Sequence, residues 1–295
     1  MPLIHILLAI GITFIWGTNF VVIKWGVTEF PPFLFATLRF TASALPWVLF
    51  VPRPAVPWRT LATVGLLLGA GQFGLLFLAM QHDITPGLAS LLMQSQAFFT
   101  ILLAVIWRKE TIAPLQVLAL ALAGVGIGLI GWRTVGRADV SITGTGFALV
   151  IGAAVAWSIA NQVVKGVGRV DMLRFMVWCS VFAVPPLLLL ALLADTPATL
   201  LAAVAHASPL AWLAVAWQAV GNTLIGFGVW NWLLTRYPAA TVAPLSLLVP
   251  IFGMSAAALV FDEPLPAWKI VAATLIIAGL TLNFAAGSLV RRFAR

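Results

Sequence analysis

Charge is scarce in this chain. Charged residues fill 8% of 295 positions while 62% are hydrophobic, and the mean hydropathy is +1.10. A globule of that composition could not cover its surface with polar groups, which excludes a water-soluble protein and makes the bilayer its solvent. Cysteine is nearly absent as well: Cys179 stands alone inside an apolar run, so it can neither form an internal disulfide nor complete a metal site. The three histidines, His5, His82 and His206, fall near segment ends or in loops, which leaves Ser95, Ser158, Ser180 and Ser246 without a base at their depth. No cluster of His, Cys or carboxylates has the spacing of a metal site. Neither catalysis nor a metal nor a cofactor is expected. The first apolar run lacks a basic leader and a small-residue cleavage site, and is read as a retained helix.

What the chain has is apolar length. Ten runs, at 3–25, 32–51, 61–80, 85–107, 112–131, 144–164, 172–193, 210–236, 239–261 and 266–289, match the roughly 20 apolar residues that a helix needs to cross hydrocarbon with its backbone groups satisfied. The longest connection, 194–209, contains ATLLAAVAHA, a segment able to lie along the interface. The expected fold is an all-α integral membrane protein.

The runs also repeat. PGLASLLMQSQAFFTILLAVIWRKE from Pro86 is echoed by PAATVAPLSLLVPIFGMSAAALVFDE from Pro238, each ending at a carboxylate, Glu110 or Glu263. Gly69 matches Gly221, Gly74 matches Gly226, Trp16 matches Trp157 and Lys24 matches Lys165. This predicts two five-helix repeats, residues 1–137 and 138–295. Five is odd, so halves that share one fold must enter the membrane from opposite sides, as an inverted repeat of the kind from which transporters are built. If the N-terminus is cytoplasmic, eleven basic residues (Arg53, Arg59, Arg108, Lys109, Lys165, Arg169, Arg174, Arg236, Arg291, Arg292 and Arg295) lie inside. Only Lys24, Arg133, Arg137 and Lys269 lie outside, which predicts cytoplasmic termini. The net charge of +8 expresses that orientation; basic residues scattered over short loops do not make a nucleic-acid surface.

Gly69, Gly71 and Gly74 spell the phosphate-binding GxGxxG, but inside a spanning run, with no preceding strand and no acidic residue about 20 positions on, the pattern is packing. Gly65 with Gly69, and Gly124 with Gly128, form GxxxG pairs that are expected to let backbones approach. The mid-membrane polar inventory is neutral: Asn19, Gln72, Gln94, Asn161, Gln218, Asn222 and Ser246 among others, with no Asp or Glu. Trp16 shares a helical stripe with Asn19, Trp157 with Asn161, and Gln218 with Asn222, while Gln94 aligns with Ser246 across the repeat. Pro86, Pro244 and Pro250 can free backbone carbonyls towards a cavity. Each amide is either a hydrogen bond between helices or a substrate contact, and the tryptophans either fill space or stack on substrate. Arg39 lies about two turns inside the second run, where a guanidinium needs a partner or water. Snorkelling, a structural pair, gating and recognition of a carboxylate are all open to it. Lys24 and Lys165, at opposite helix mouths, read as interface anchors.

WGTNFVVIKWG in the first helix, PPFLFATLRF in the second, PGLASLL with Glu110 closing the fourth, and the echo PAATVAPLSLLVP resemble the EamA type of the drug/metabolite transporter superfamily over nearly the whole chain. The resemblance, strongest to aromatic amino acid exporters, implies ten helices, a bacterial inner-membrane location, cytoplasmic termini and alternating-access export of amino acids, aromatic and other neutral ones. It also implies a central cavity lined by Trp16, Asn19, Gln72, Gln94, Trp157, Asn161, Gln218, Asn222 and Ser246. Arg39, Lys24 and Lys165 would be gating or structural charges. The missing central carboxylate points to passage down the substrate gradient, because proton exchange usually recruits an intramembrane ionisable group. The alternatives are a proton-coupled exporter of other metabolites or lipophilic drugs and a non-transporting membrane protein. The expected partners are a small-molecule substrate and the lipid bilayer; nucleic acid and cofactors are not among them, and the oligomeric state is open, a monomer included. Two departures stand out: no arginine maps opposite Arg39 in the second half, and Pro244 and Pro250 have no proline counterparts, which predicts a more deformable ninth helix.

Overall fold

The structure, a computed structural model, describes residues 1–109, 113–134, 141–168, 170–237 and 239–293. Glu110, Arg137, Asp139, Arg169, Pro238, Arg295 and the expected junction at 137/138 lie outside them. Among the described residues, ten helices are long and apolar enough to span a membrane: α1 (Leu3–Glu29), α2 (Pro32–Leu49), α3 (Trp58–His82), α4 (Pro86–Trp107), α5 (Pro114–Arg133), α6 (Gly144–Val167), α7 (Met172–Ala194), α8 (Pro209–Arg236), α9 (Ala243–Phe261) and α10 (Ala267–Ala286). A further helix in the longest connection, Pro197–His206, is too short to cross. The starts are chemically marked. Pro32, Pro86 and Pro209 occupy the first turn, where no N–H is needed, and Thr143, Asp171 and Ser208 accept backbone N–H groups at the caps of α6, α7 and α8.

The packing list maps onto itself when the halves are exchanged. α1 packs on α8 and α9, just as α6 packs on α3 and α4; α2 pairs with α7 and α5 with α10. With five crossings per half, α1 and α6 start at opposite ends, so the two repeats are inverted. Both chain termini then share one end of the bundle, here the terminal end; the other is the far end.

Small residues set the closest approaches, though not all where the sequence suggested. A Cβ on Gly65 would lie 2.4 Å from the Cys179 carbonyl oxygen and one on Gly69 2.6 Å from Ala183 Cβ, so this pair does bring α3 onto α7. Gly124 and Gly128 have nothing within 4 Å, and their expected role is corrected. α10 contacts the opposite side of α5, where a Cβ on Gly126 would lie 2.7 Å from Ile276 Cγ1. Two residues along a helix turn it by about 200°, slightly more than a half-turn, which moves the contact to the other face.

Four helices are irregular at mid-depth. α3 winds as a π-helix over Leu67–Gly74 and α8 over Trp217–Ile225, so the matched glycines fall within or directly after matched irregularities. α4 is interrupted between Pro86–Leu92 and Ser95–Arg108, and α9 carries a 3-10 turn, Ala243–Leu247, ahead of Leu248–Phe261. Pro244 begins that turn as its ring dictates, whereas the break in α4 contains no proline. The later segments of α4 and α9 both end in left-handed caps, Lys109 at φ 53° and Asp262 at φ 50°. Their starts and caps put Gln94 opposite Leu247 rather than Ser246, which corrects the sequence alignment by one residue.

Candidate substrate site

Between the halves lies a cavity of about 370 Å³. Its wall takes Trp16 and Asn19 from α1, Gln72 from the π segment of α3 and Gln94 from the break in α4. Trp157 and Asn161 come from α6, Asn222 from the π segment of α8 and Ser246 from the 3-10 turn of α9. The irregular segments therefore converge on the cavity, where backbone that departs from the α-helix can be tolerated inside a membrane. None of the lining residues is Asp, Glu, Lys, Arg or His.

Gln218 is the exception among the expected lining residues. It is fully buried and clamps Asn19 instead, with Nε2 donating to Asn19 Oδ1 at 2.8 Å. Hydrogen bonding sorts the other amides. Asn161 Nδ2 donates to Gln96 Oε1 at 3.1 Å, Ser158 Oγ to the Gln96 carbonyl at 2.7 Å and Gln162 Nε2 to the Thr100 carbonyl at 2.7 Å, so these groups join α6 to α4. The carboxamides of Gln72, Gln94 and Asn222 line the cavity and have no hydrogen-bond partner among the described residues. Trp16 is held in place: Nε1 donates to the Asn222 carbonyl at 3.2 Å, and its ring lies 5.1 Å from that of Trp230 and 5.7 Å from that of Phe227.

The cavity extends towards the terminal end, past Met176, Met172, Val164, Leu234 and Ala243. At the far end it stops. Phe73 forms part of its wall, and behind it a run of buried rings continues through Phe77 (5.7 Å), Phe35 (4.9 Å further) and Phe30 (6.0 Å further) to the far interface.

Charges tie this closed end together. Glu263, after α9, accepts from Thr85 Oγ1 at 2.6 Å and from the Gly87 backbone N–H at 2.8 Å, so it caps the positive N-terminus of α4. Lys269 Nζ, itself fully buried, lies 2.9 Å from the same carboxylate and also donates to Ser141 Oγ and the Pro264 carbonyl. A Cβ on Gly87 would sit 3.0 Å from both carboxylate oxygens, so a larger residue would force the pair aside. At the same end Glu29 accepts from the backbone N–H and hydroxyl of Ser208, joining α1 to α8.

The sequence placed Glu263 just after the ninth run and Lys269 at the outer end of the tenth, and did not foresee their burial. The available signal was the repeat itself, since Lys269 stands where the first half has Gln116. Lys24 is also corrected. It does not reach out to the interface as an anchor; its Nζ donates to the carbonyls of Met80 and Gln81, both at 2.9 Å, and so caps α3. Lys165 is exposed near the terminal end of α6. Arg39 does not snorkel: it is 1% exposed and donates through Nη2 to Thr223 Oγ1 at 2.8 Å.

The EamA-like transporter family model matches residues 3–132 and 144–285. The chain is 35% identical over 280 residues to a probable amino-acid metabolite efflux pump of Escherichia coli strain K12, covering 94% of this chain and 93% of that one. It is 36% identical over 292 residues to the protein of the same name from Salmonella typhimurium, covering 98% and 97%. A solved crystal structure 20% identical in sequence superposes with a TM-score of 0.64 over 94% of each chain and shares the fold. A multi-pass bundle of two inverted five-helix repeats, enclosing an uncharged cavity and matched twice by one transporter family model, is a transporter rather than an enzyme: the chain belongs to the EamA-like transporter family.

Proposed function

We propose that the protein exports amino acids, aromatic and other neutral ones first, across the bacterial inner membrane by alternating access, with both termini cytoplasmic. The observation that carries this reading is the uncharged, two-half cavity. A free ion would find no counter-charge on its wall, whereas a zwitterion with an apolar side chain finds amides for its charged ends and rings for its body. Gln72, Gln94 and Asn222 offer the unpaired donors and acceptors. Trp16 and Trp157 offer aromatic faces, each contact contributing about 0.5–1.5 kcal/mol beyond area burial. A volume of about 370 Å³ is near the lower end of small-molecule sites, roughly 300–1,000 Å³, and suits a single aromatic amino acid.

Orientation follows from charge. Arg53, Arg59, Lys109, Lys165, Arg174 and Arg236 cluster at the terminal end, which makes it cytoplasmic and makes this conformation the one that loads from inside. The two repeats, 1–137 and 138–295, are the units that rock about the site. With no titratable group on the cavity wall, substrate moves down its own gradient. The names borne by the two bacterial relatives support the substrate class.

The test is counterflow of labelled tryptophan in proteoliposomes with a competitor panel. Phenylalanine and other neutral amino acids should compete, and lipophilic cations and nucleotide sugars should not. Absence of tryptophan counterflow, or its loss when the pH gradient alone is removed at fixed substrate gradient, would contradict the substrate or the coupling respectively.

A further inference from the structure

The cavity offers a zwitterion no positive charge, yet one buried cation lies a single ring behind its wall. Arg39 is absent from the lining, but its guanidinium rests 3.8 Å from the ring centroid of Phe73, which is part of the lining, and 4.6 Å from that of Phe40. One of its nitrogens is satisfied, Nη2 by Thr223; Nε and Nη1 are buried without a hydrogen-bond partner. No carboxylate among the described residues pairs with it. A full charge with orphaned donors inside a membrane is costly, and such residues mark functional positions.

Two features connect this charge to the cavity. Phe73 belongs to the π segment of α3 and Thr223 to that of α8, so the guanidinium is wedged between the two irregular segments that bound the site. A π segment can change register at small cost, and such segments recur at functional sites. In addition, a polar chain runs from Arg39 to the wall: Thr223 Oγ1 donates to the Gln218 carbonyl at 2.9 Å, and the Gln218 side chain holds Asn19, which lines the cavity.

We propose that Arg39 is the receptor for the substrate carboxylate, screened by the Phe73 ring in this conformation and uncovered when the π segment of α3 shifts as the far end opens. The inference rests on the amino-acid reading above and adds to it a residue, a direction and a chemical requirement. A substrate's carboxylate would pass from neutral amides at mid-depth to a guanidinium further out, where its fork can bind both oxygens. The repeat has no arginine at the equivalent place, so the device is one-sided, as an exporter requires.

The experiment compares labelled tryptophan with labelled tryptamine, the same molecule without its carboxylate, in counterflow by the full-length protein. Losing one charge-assisted contact should cost about tenfold. Wild-type protein is expected to favour tryptophan by at least that factor; Arg39→Gln should remove the preference by slowing tryptophan alone, and Arg39→Lys should restore part of it. Equal loss for both molecules in Arg39→Gln, or an unchanged preference, would overturn the proposal. If Arg39→Gln does not fold, Phe73→Leu decides: thinning the screen should strengthen the preference for tryptophan, and an unaltered ratio would overturn the proposal. An inorganic anion seated at Arg39 would make both molecules depend equally on chloride, which also overturns it. Wild-type protein that carries neither molecule contradicts the amino-acid reading itself and removes the basis of this one.

Discussion

The two ends of the bundle are built from the same repeat, inverted, and yet the central cavity reaches towards one and stops short of the other. At the far end Glu263 caps α4 and holds Lys269, with Gly87 leaving room for the carboxylate. At the terminal end the position equivalent to Lys269 is Gln116, whose Nε2 donates to Asn283 Oδ1 at 3.2 Å, and the residue equivalent to Gly87 is Ala240. The same contrast recurs at mid-depth, where Ser158 joins α6 to α4 by a hydrogen bond to Gln96. Its counterpart Gly17 presses directly on α9, a Cβ there meeting Val249 O at 2.7 Å. The scaffold is shared by both ends, while the charges and small residues that join its helices are not, and on the alternating-access reading it is these that would favour one closed end. A buried ion pair is a poor source of net stability, and under the proposed alternating access this one would serve as a latch that also releases.

The largest test of that comparison is to break the latch on one side. Lys269→Met leaves Glu263 buried and unpaired, which should cost about 3–5 kcal/mol. It should lower the melting temperature and raise far-end accessibility to impermeant reagents, and the double variant Glu263→Gln/Lys269→Met should recover most of the stability. Next comes the scaffold that both ends share. Gly126→Ala should destabilise by about 1–3 kcal/mol through overpacking against α10, whichever end is open. Smaller, and more informative about the site, is a contrast of two glutamines. Gln218→Ala should lower stability by about 0.5–1.5 kcal/mol by releasing Asn19; Gln72→Ala should leave the melt unchanged and weaken tryptophan transport. Smallest of all is Gly124→Ala, expected to be neutral or to stabilise by up to about 1 kcal/mol, because nothing lies within 4 Å and alanine is the better helix former.

The ten helices, their inversion and most of the cavity wall were legible in the sequence because each rests on a local or repeated signal: apolar length, odd helix count, and a tryptophan followed by an amide on one stripe. What escaped depends on which face of a helix meets which neighbour. Gln218 and Asn222 sit one turn apart on the same stripe, yet one is clamped and the other lines the cavity, since the π segment of α8 alters the angle between them. Gly124 and Gly128 carried the right spacing on the wrong face. Lys24 and Lys269 looked like cations at helix ends, and the partners that hold them are carbonyls and a carboxylate brought from elsewhere in the chain.

The central claim is that substrate occupies the uncharged cavity formed by both halves. It is tested most directly by Ser246→Cys, labelled with a maleimide in the presence and absence of tryptophan; Cys179 is buried and contributes little background. The account predicts that tryptophan slows labelling in a saturable way. A labelling rate indifferent to tryptophan, in protein that still performs counterflow, would contradict it.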